Sequence, residues 1–236
     1  MAKPTLSEQM YGLTGPSVAQ RLTLAAALAI SVAVVWWLLF AGGVAIVGVW
    51  LGHPWGPGEP ARRAALAIAL TLCAVRAFLT GFVFLKRGVS WSEALMVAPW
   101  VFALYAFLAL AGGTNPIAFG LTGIDGAALV LLGVWIGAYA EHQRHAFKQC
   151  PGNRGKLYTR GLFRLTRHPN YFGDLIAFSG ICLIACRWFT AIVPALMFCG
   201  FVFANVPALD AHLAARYGPA FDEYARKTRK LIPFIY

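Results

Sequence analysis

The chain has 236 residues, of which 59% are hydrophobic and only 12% charged, with a mean hydropathy of +0.66. A soluble domain is nearer about 45–50% apolar and about 25% charged, so composition excludes a soluble globular protein. The formal net charge of +11 is not a nucleic-acid signature, because the cations sit at the ends of apolar runs and in two loops, as the positive-inside rule requires.

In chain order, residues 1–20 form a polar lead with no cleavable-signal pattern. Residues 21–51 are apolar for long enough to make one tilted span, with a bend expected at Gly42-Gly43. Gly and Pro between residues 52 and 60 break it. A second span covers residues 64–85 and closes on Lys86-Arg87. Ser90-Trp91-Ser92-Glu93 reads as a capping box opening a third span to residue 111. Residues 112–123 contain no Lys or Arg and belong outside. A fourth span covers residues 126–147. A basic loop follows (148–170), then a hairpin of two short apolar segments (171–186 and 189–208) turning at Arg187-Trp188, and an amphipathic basic tail (209–236) suited to the membrane surface. The expected fold is an all-α polytopic bundle of about six transmembrane helices in one domain. Both termini and the basic loops share the cytoplasmic side.

The five cysteines are odd in number and contain no CxxC pair, which disfavours a disulfide framework or a zinc site. Polar residues inside the apolar runs are more informative. Arg76 lies about 15 Å below Lys86 at about 1.5 Å per residue, too deep to snorkel. It either faces a ligand or pairs with a carboxylate on a neighbouring helix. Glu141, His145 and Lys148 share a helix face at i, i+4 and i+7, as ligand contacts or as a solvated helix end. Tyr105 and Tyr139 are candidate proton donors, or aromatic-belt residues.

The most specific stretch is residues 161–174. Lys148, Arg154, Lys156, Arg160, Arg164 and Arg167 lie on or before it, and no acid intervenes until Asp174. Pro169 suits a helix start. Free amides there, with Arg167 and His168, would make an anion site, with Asp174 one turn in from Asn170. Asp210 and His212, just after the last span, are placed to close the same pocket.

The run Arg167-His168-Pro169-Asn170-Tyr171-Phe172-Gly173-Asp174, the ending Lys230-Leu231-Ile232-Pro233-Phe234-Ile235-Tyr236 and the multi-span layout resemble the steroid 5α-reductase superfamily, in particular its bacterial DUF1295 branch. The segment is also similar to one in sterol C14 and C7 reductases and, more distantly, in isoprenylcysteine carboxyl methyltransferases. The resemblance implies an NADPH site. Asn170 and Asp174 would meet the nicotinamide-ribose end, Arg76 would lie near the phosphates, and Glu141, His145, Lys148 and Lys156 would be polar contacts. Arg160, Arg167, His168, Asp210 and His212 complete the candidate cofactor set. Asp174 and Tyr171 are the candidate catalytic residues. No Gln-Glu pair lies in the first two spans and no Tyr just before Arg76, so the steroid-ketone half of the site differs from that of the 5α-reductases. The expected function is NADPH-dependent reduction of a C=C bond in a lipophilic steroid-, sterol- or isoprenoid-like substrate. The alternative is S-adenosylmethionine-dependent methyl transfer to a lipid or prenyl-cysteine carboxyl group; a third class is a non-catalytic lipid- or haem-handling protein. The expected setting is a bacterial inner membrane, with membrane lipids as neighbours and no metal, nucleic acid or obligate protein partner.

Overall fold

The computed structural model describes residues 15–236; most of the expected polar lead lies outside the described residues. Among these, eight helices and no strands are found. Five are long and apolar enough to cross a membrane. They are α1 (Val18–Phe40), α3 (Pro60–Phe84), α4 (Trp91–Gly113), α5 (Leu121–Gln149) and α7 (Trp188–Tyr217). Between them lie the short α2 (Gly43–Trp50) and the 17-residue apolar α6 (Pro169–Ala185). The helix α8 (Pro219–Lys227) follows α7.

The expected bend at Gly42-Gly43 is a full break. Gly42 has φ 79° and ends α1, and a side chain on Gly43 would strike the Trp37 ring. The expected capping box is half formed: the Glu93 amide donates to Ser90 Oγ at 3.0 Å. The Glu93 carboxylate turns instead to Arg87, at 2.6 and 2.7 Å, because a guanidinium offers it two charge-assisted bonds. Ser90→Ala should therefore cost about 1 kcal/mol in a thermal or denaturant melt, the usual value of an N-cap.

The hairpin's second arm is not short. It runs 30 residues to Tyr217, which places Asp210 and His212 inside α7 rather than at the start of a tail. Pro207 lacks the N–H an α-helix would use, and a π-turn over Phe201–Asn205 absorbs that defect without ending the helix. The helix stops only at Gly218, whose φ is 53°. The amphipathic segment shrinks accordingly to α8.

Helices α5 and α6 form the tightest packing. Gly126 and Gly133 on α5 face Gly180 and Gly173 on α6, so backbone meets backbone. Small residues permit this close approach where lipid supplies no hydrophobic drive between helices. The far end of α6 is capped from outside. Arg62, fully buried, donates to the carbonyls of Ile184, Ile117 and Ala118. Asn115 Nδ2 donates to the carbonyls of Ala185 and Cys186 at 3.0 and 2.9 Å. These donors satisfy carbonyls that the end of a helix leaves open. At the opposite end Arg21 donates to the carbonyls of Gly81, Leu85 and Arg87. This second end also collects the 148–168 loop and α8, and with them most of the free cations.

Candidate functional site

Arg76 on α3 reaches Asp174 on α6 and forms an ion pair, with side chains 12% and 22% exposed. The room for it comes from Gly137 on α5, where any side chain would collide with the Arg76 guanidinium. Asp174 lies in the second turn of α6, facing Arg76, and so does not serve its own helix dipole. Glu141, one turn beyond Gly137, is buried, pairs with Arg144 and lies within electrostatic reach of Arg76. Its partner is therefore the i+3 residue, not His145 or Lys148.

A cleft of about 510 Å³, open to solvent, lies between the end of α5, the 154–168 loop, the start of α6 and the end of α7; Arg76, Asp174 and Glu141 do not line it. Lys148, Arg167, His168 and Asn170 line it, joined by Arg144, Tyr158, Tyr217 and Tyr224. Lys148 Nζ donates to Tyr217 Oη at 2.8 Å and to the Lys156 carbonyl at 2.7 Å. An ammonium has three N–H donors, so one is left for the cleft. Asn170 makes no side-chain hydrogen bond among the described residues.

Arg167 and His168 converge on Asp210. Arg167 Nη2 donates to Oδ2 at 2.8 Å and His168 Nε2 meets Oδ1 at 3.0 Å. Arg167 also donates to the Ala225 carbonyl at 3.1 Å, while its buried Nε has no partner. The Arg-His pair thus clamps the loop to α7 and α8. Tyr171 is stacked between His168 (5.5 Å) and Phe201 (4.6 Å). Tyr224 donates to the Phe163 carbonyl at 2.6 Å; burial pushes its phenol above the ordinary range, with Arg167 opposing.

Other expected residues do not reach the cleft. Lys156 and Arg160 are exposed and line no part of it, and Lys156 contributes its carbonyl rather than its ammonium. His145 meets Gln149 at 3.0 Å and the edge of Phe84 at 5.5 Å. His212 has Arg216 and Arg87 as electrostatic neighbours. Arg144 and Gln143 were missed from sequence. Gln143 accepts from the Leu162 amide at 3.1 Å and pins the turn at Gly161–Arg164; the i, i+3 spacing of Glu141 and Arg144 was the available signal.

The family described as "Protein of unknown function (DUF1295)" matches residues 93–228. The chain belongs to the DUF1295 family. The matched stretch holds every cleft residue, but Arg76 lies outside it. This DUF1295 protein is 39% identical over 98 residues to a probable O-methyltransferase of Ustilaginoidea virens, covering 40% of this chain and 34% of that one. It is 31% identical over 80 residues to the protein-S-isoprenylcysteine O-methyltransferase B of Arabidopsis thaliana, covering 34% and 41%. It is 29% identical over 155 residues to the Delta(14)-sterol reductase of Schizosaccharomyces pombe, covering 58% and 36%. The chain thus spans about a third to two fifths of the length of these relatives. Their types agree with the steroid 5α-reductase-like superfamily recognised from the motif.

A second cleft, of about 620 Å³, lies between α1, α3 and α4. Its wall is apolar apart from Arg21 and Glu93. Tyr105 on α4 is 3% exposed and within electrostatic reach of Arg76 and Cys73. It forms no hydrogen bond among the described residues. Tyr139, in contrast, is exposed and stacks on Trp135 at 5.2 Å, as a belt residue would.

Proposed function

We propose that this protein is a membrane reductase that uses NADPH to reduce a C=C bond of a sterol- or isoprenoid-like lipid. The observation that carries this reading is the state of the charges around the 510 Å³ cleft. Its nearby carboxylates, Glu141 and Asp210, are both engaged in ion pairs. Lys148 keeps a donor to spare. Such a site suits phosphates better than a cationic sulfonium.

On this reading Arg144, Lys148 and Arg167 hold the phosphates, and Asn170 orients the ring-bearing end towards Asp174. The bound cofactor supplies a hydride. The chain positions and protonates: the apolar cleft between α1, α3 and α4 admits the lipid, and Tyr105 offers a proton beside Arg76. The cation-rich end faces the cytoplasm, where the cofactor is dissolved.

A second reading, S-adenosylmethionine-dependent methyl transfer to a lipophilic substrate, is favoured by the 39% identity to an O-methyltransferase. Thermal-shift titration of the detergent-solubilised full chain with NADPH, NADH and S-adenosylmethionine separates them. A ligand at 100 times its dissociation constant adds about 2.7 kcal/mol. NADPH should raise the melting temperature, and Asn170→Ala should remove that rise while leaving the unliganded melt unchanged. A rise with S-adenosylmethionine alone would replace the first reading by the second.

A further inference from the structure

The last residues of the chain fold back on themselves. The Leu231 and Ile232 amides both donate to the Tyr236 main-chain oxygen, at 2.7 and 2.8 Å. Within that turn Phe234 has φ 66°, a left-handed conformation uncommon for a bulky residue. Its side chain is 79% exposed and that of Ile235 76%.

The turn is nevertheless firmly seated. Leu231 is fully buried. The single O–H of Thr166 Oγ1 is shared between the carbonyls of Lys230 and Leu231, at 3.1 and 2.9 Å, and the Arg167 amide donates to the Arg229 carbonyl at 2.8 Å. Thr166 stands three residues before Pro169, the first residue of the apolar helix α6. The position of the turn is therefore fixed to the start of α6. Leu165, next to Thr166, is 41% exposed, and Arg164, Arg226, Lys227, Arg229 and Lys230 are exposed. The nearby acids are Asp222 and Glu223, and Glu223 is held by Lys227 at 2.6 Å.

Water is a poor neighbour for this surface. Exposed apolar area is unfavourable, and a left-handed Phe adds backbone strain. Apolar side chains held out among cations match the boundary between phosphates and acyl chains of an anionic leaflet. We propose that residues 229–235, with Arg164 and Leu165, form an interfacial anchor. Phe234, Ile235 and Leu165 enter the acyl boundary, and Arg164, Arg229 and Lys230 meet the phosphates of anionic phospholipids. The anchor is independent of which cofactor the cleft takes.

The test uses the full chain with the exposed cysteines removed (Cys150→Ser, Cys199→Ser), reconstituted in nanodiscs of phosphatidylcholine with phosphatidylglycerol. A nitroxide is attached at Phe234→Cys, with Ile235→Cys as a second site if the first disturbs the turn. Leu131→Cys, on the exposed face of α5, is the lipid reference, and Lys156→Cys the aqueous one. Accessibility to oxygen relative to a water-soluble nickel chelate should match position 131 at both anchor sites. A ratio matching position 156 would overturn the anchor. Phosphatidylglycerol should also raise the melting temperature over phosphatidylcholine alone, and Arg164→Gln/Arg229→Gln/Lys230→Gln should lose most of that rise. A rise undiminished in the triple variant, or absent from the parent, would overturn the phosphate contacts.

Discussion

Arg76→Leu is expected to destabilise the protein strongly, because it leaves the Asp174 carboxylate without its partner inside the bundle. Breaking a buried ion pair from one side costs roughly 3–5 kcal/mol. The exposures of 12% and 22% place this pair towards the lower end of that range. Asp174→Leu alone should do the same by stranding Arg76. The double variant Arg76→Leu/Asp174→Leu removes both charges and should regain most of the loss, since apolar residues of similar volume replace buried pairs well. If the pair is also part of the cofactor site, the double variant will fold yet give no NADPH-induced thermal shift. Melting curves with and without NADPH read both effects. Unchanged stability in the single variants would show that the pair is solvated. A full ligand shift in the double variant would confine the pair to a structural role.

The glycine seam between α5 and α6 separates a folding effect from a site effect. Gly133→Ala should lower stability by about 1–3 kcal/mol, the usual range for overpacking. Its Cβ would overlap the Gly173 carbonyl and the Ala177 backbone, which cannot move without parting the helices. Gly137→Ala meets the end of a flexible side chain instead, at 2.5 Å from Arg76 Nη1. The expected result is a smaller change in the melt, with Arg76 shifted but still paired with Asp174 and ligand affinity reduced. Equal melts for the two variants, measured by circular dichroism in detergent, would contradict this division.

The apolar runs and their order were legible because lipid demands long uninterrupted helices. The Ser90 cap and the Gly42 break were legible for a local reason: each depends on a few adjacent residues. The pairing of Glu93 with Arg87 was not, because the side-chain bond of a capping box competes with any nearby guanidinium. The end of α7 was misplaced because a polar residue such as Asp210 suggests an interface, whereas a helix stops at a backbone breaker, here Gly218. The cluster Lys148, Arg167, His168 and Asn170 was recognisable as polar residue types concentrated beside a helix start. What each member does was not, since Arg167 and His168 are directed at Asp210, some 40 positions later in the chain.

The sequence by itself determined the class of protein, the order of the spans, the family motif and the stretch where polar chemistry is concentrated, because hydropathy and helix caps act over a few residues. Only the tertiary structure decided which charges remain available. It pairs Arg76 with Asp174, Glu141 with Arg144 and Asp210 with Arg167, and leaves Lys148 and Asn170 open to the cleft. Charges that find partners across helices are neutralised by whichever group the packing brings within hydrogen-bond reach. That reach depends on the close approach of α5 and α6 through their glycines, which no local pattern encodes.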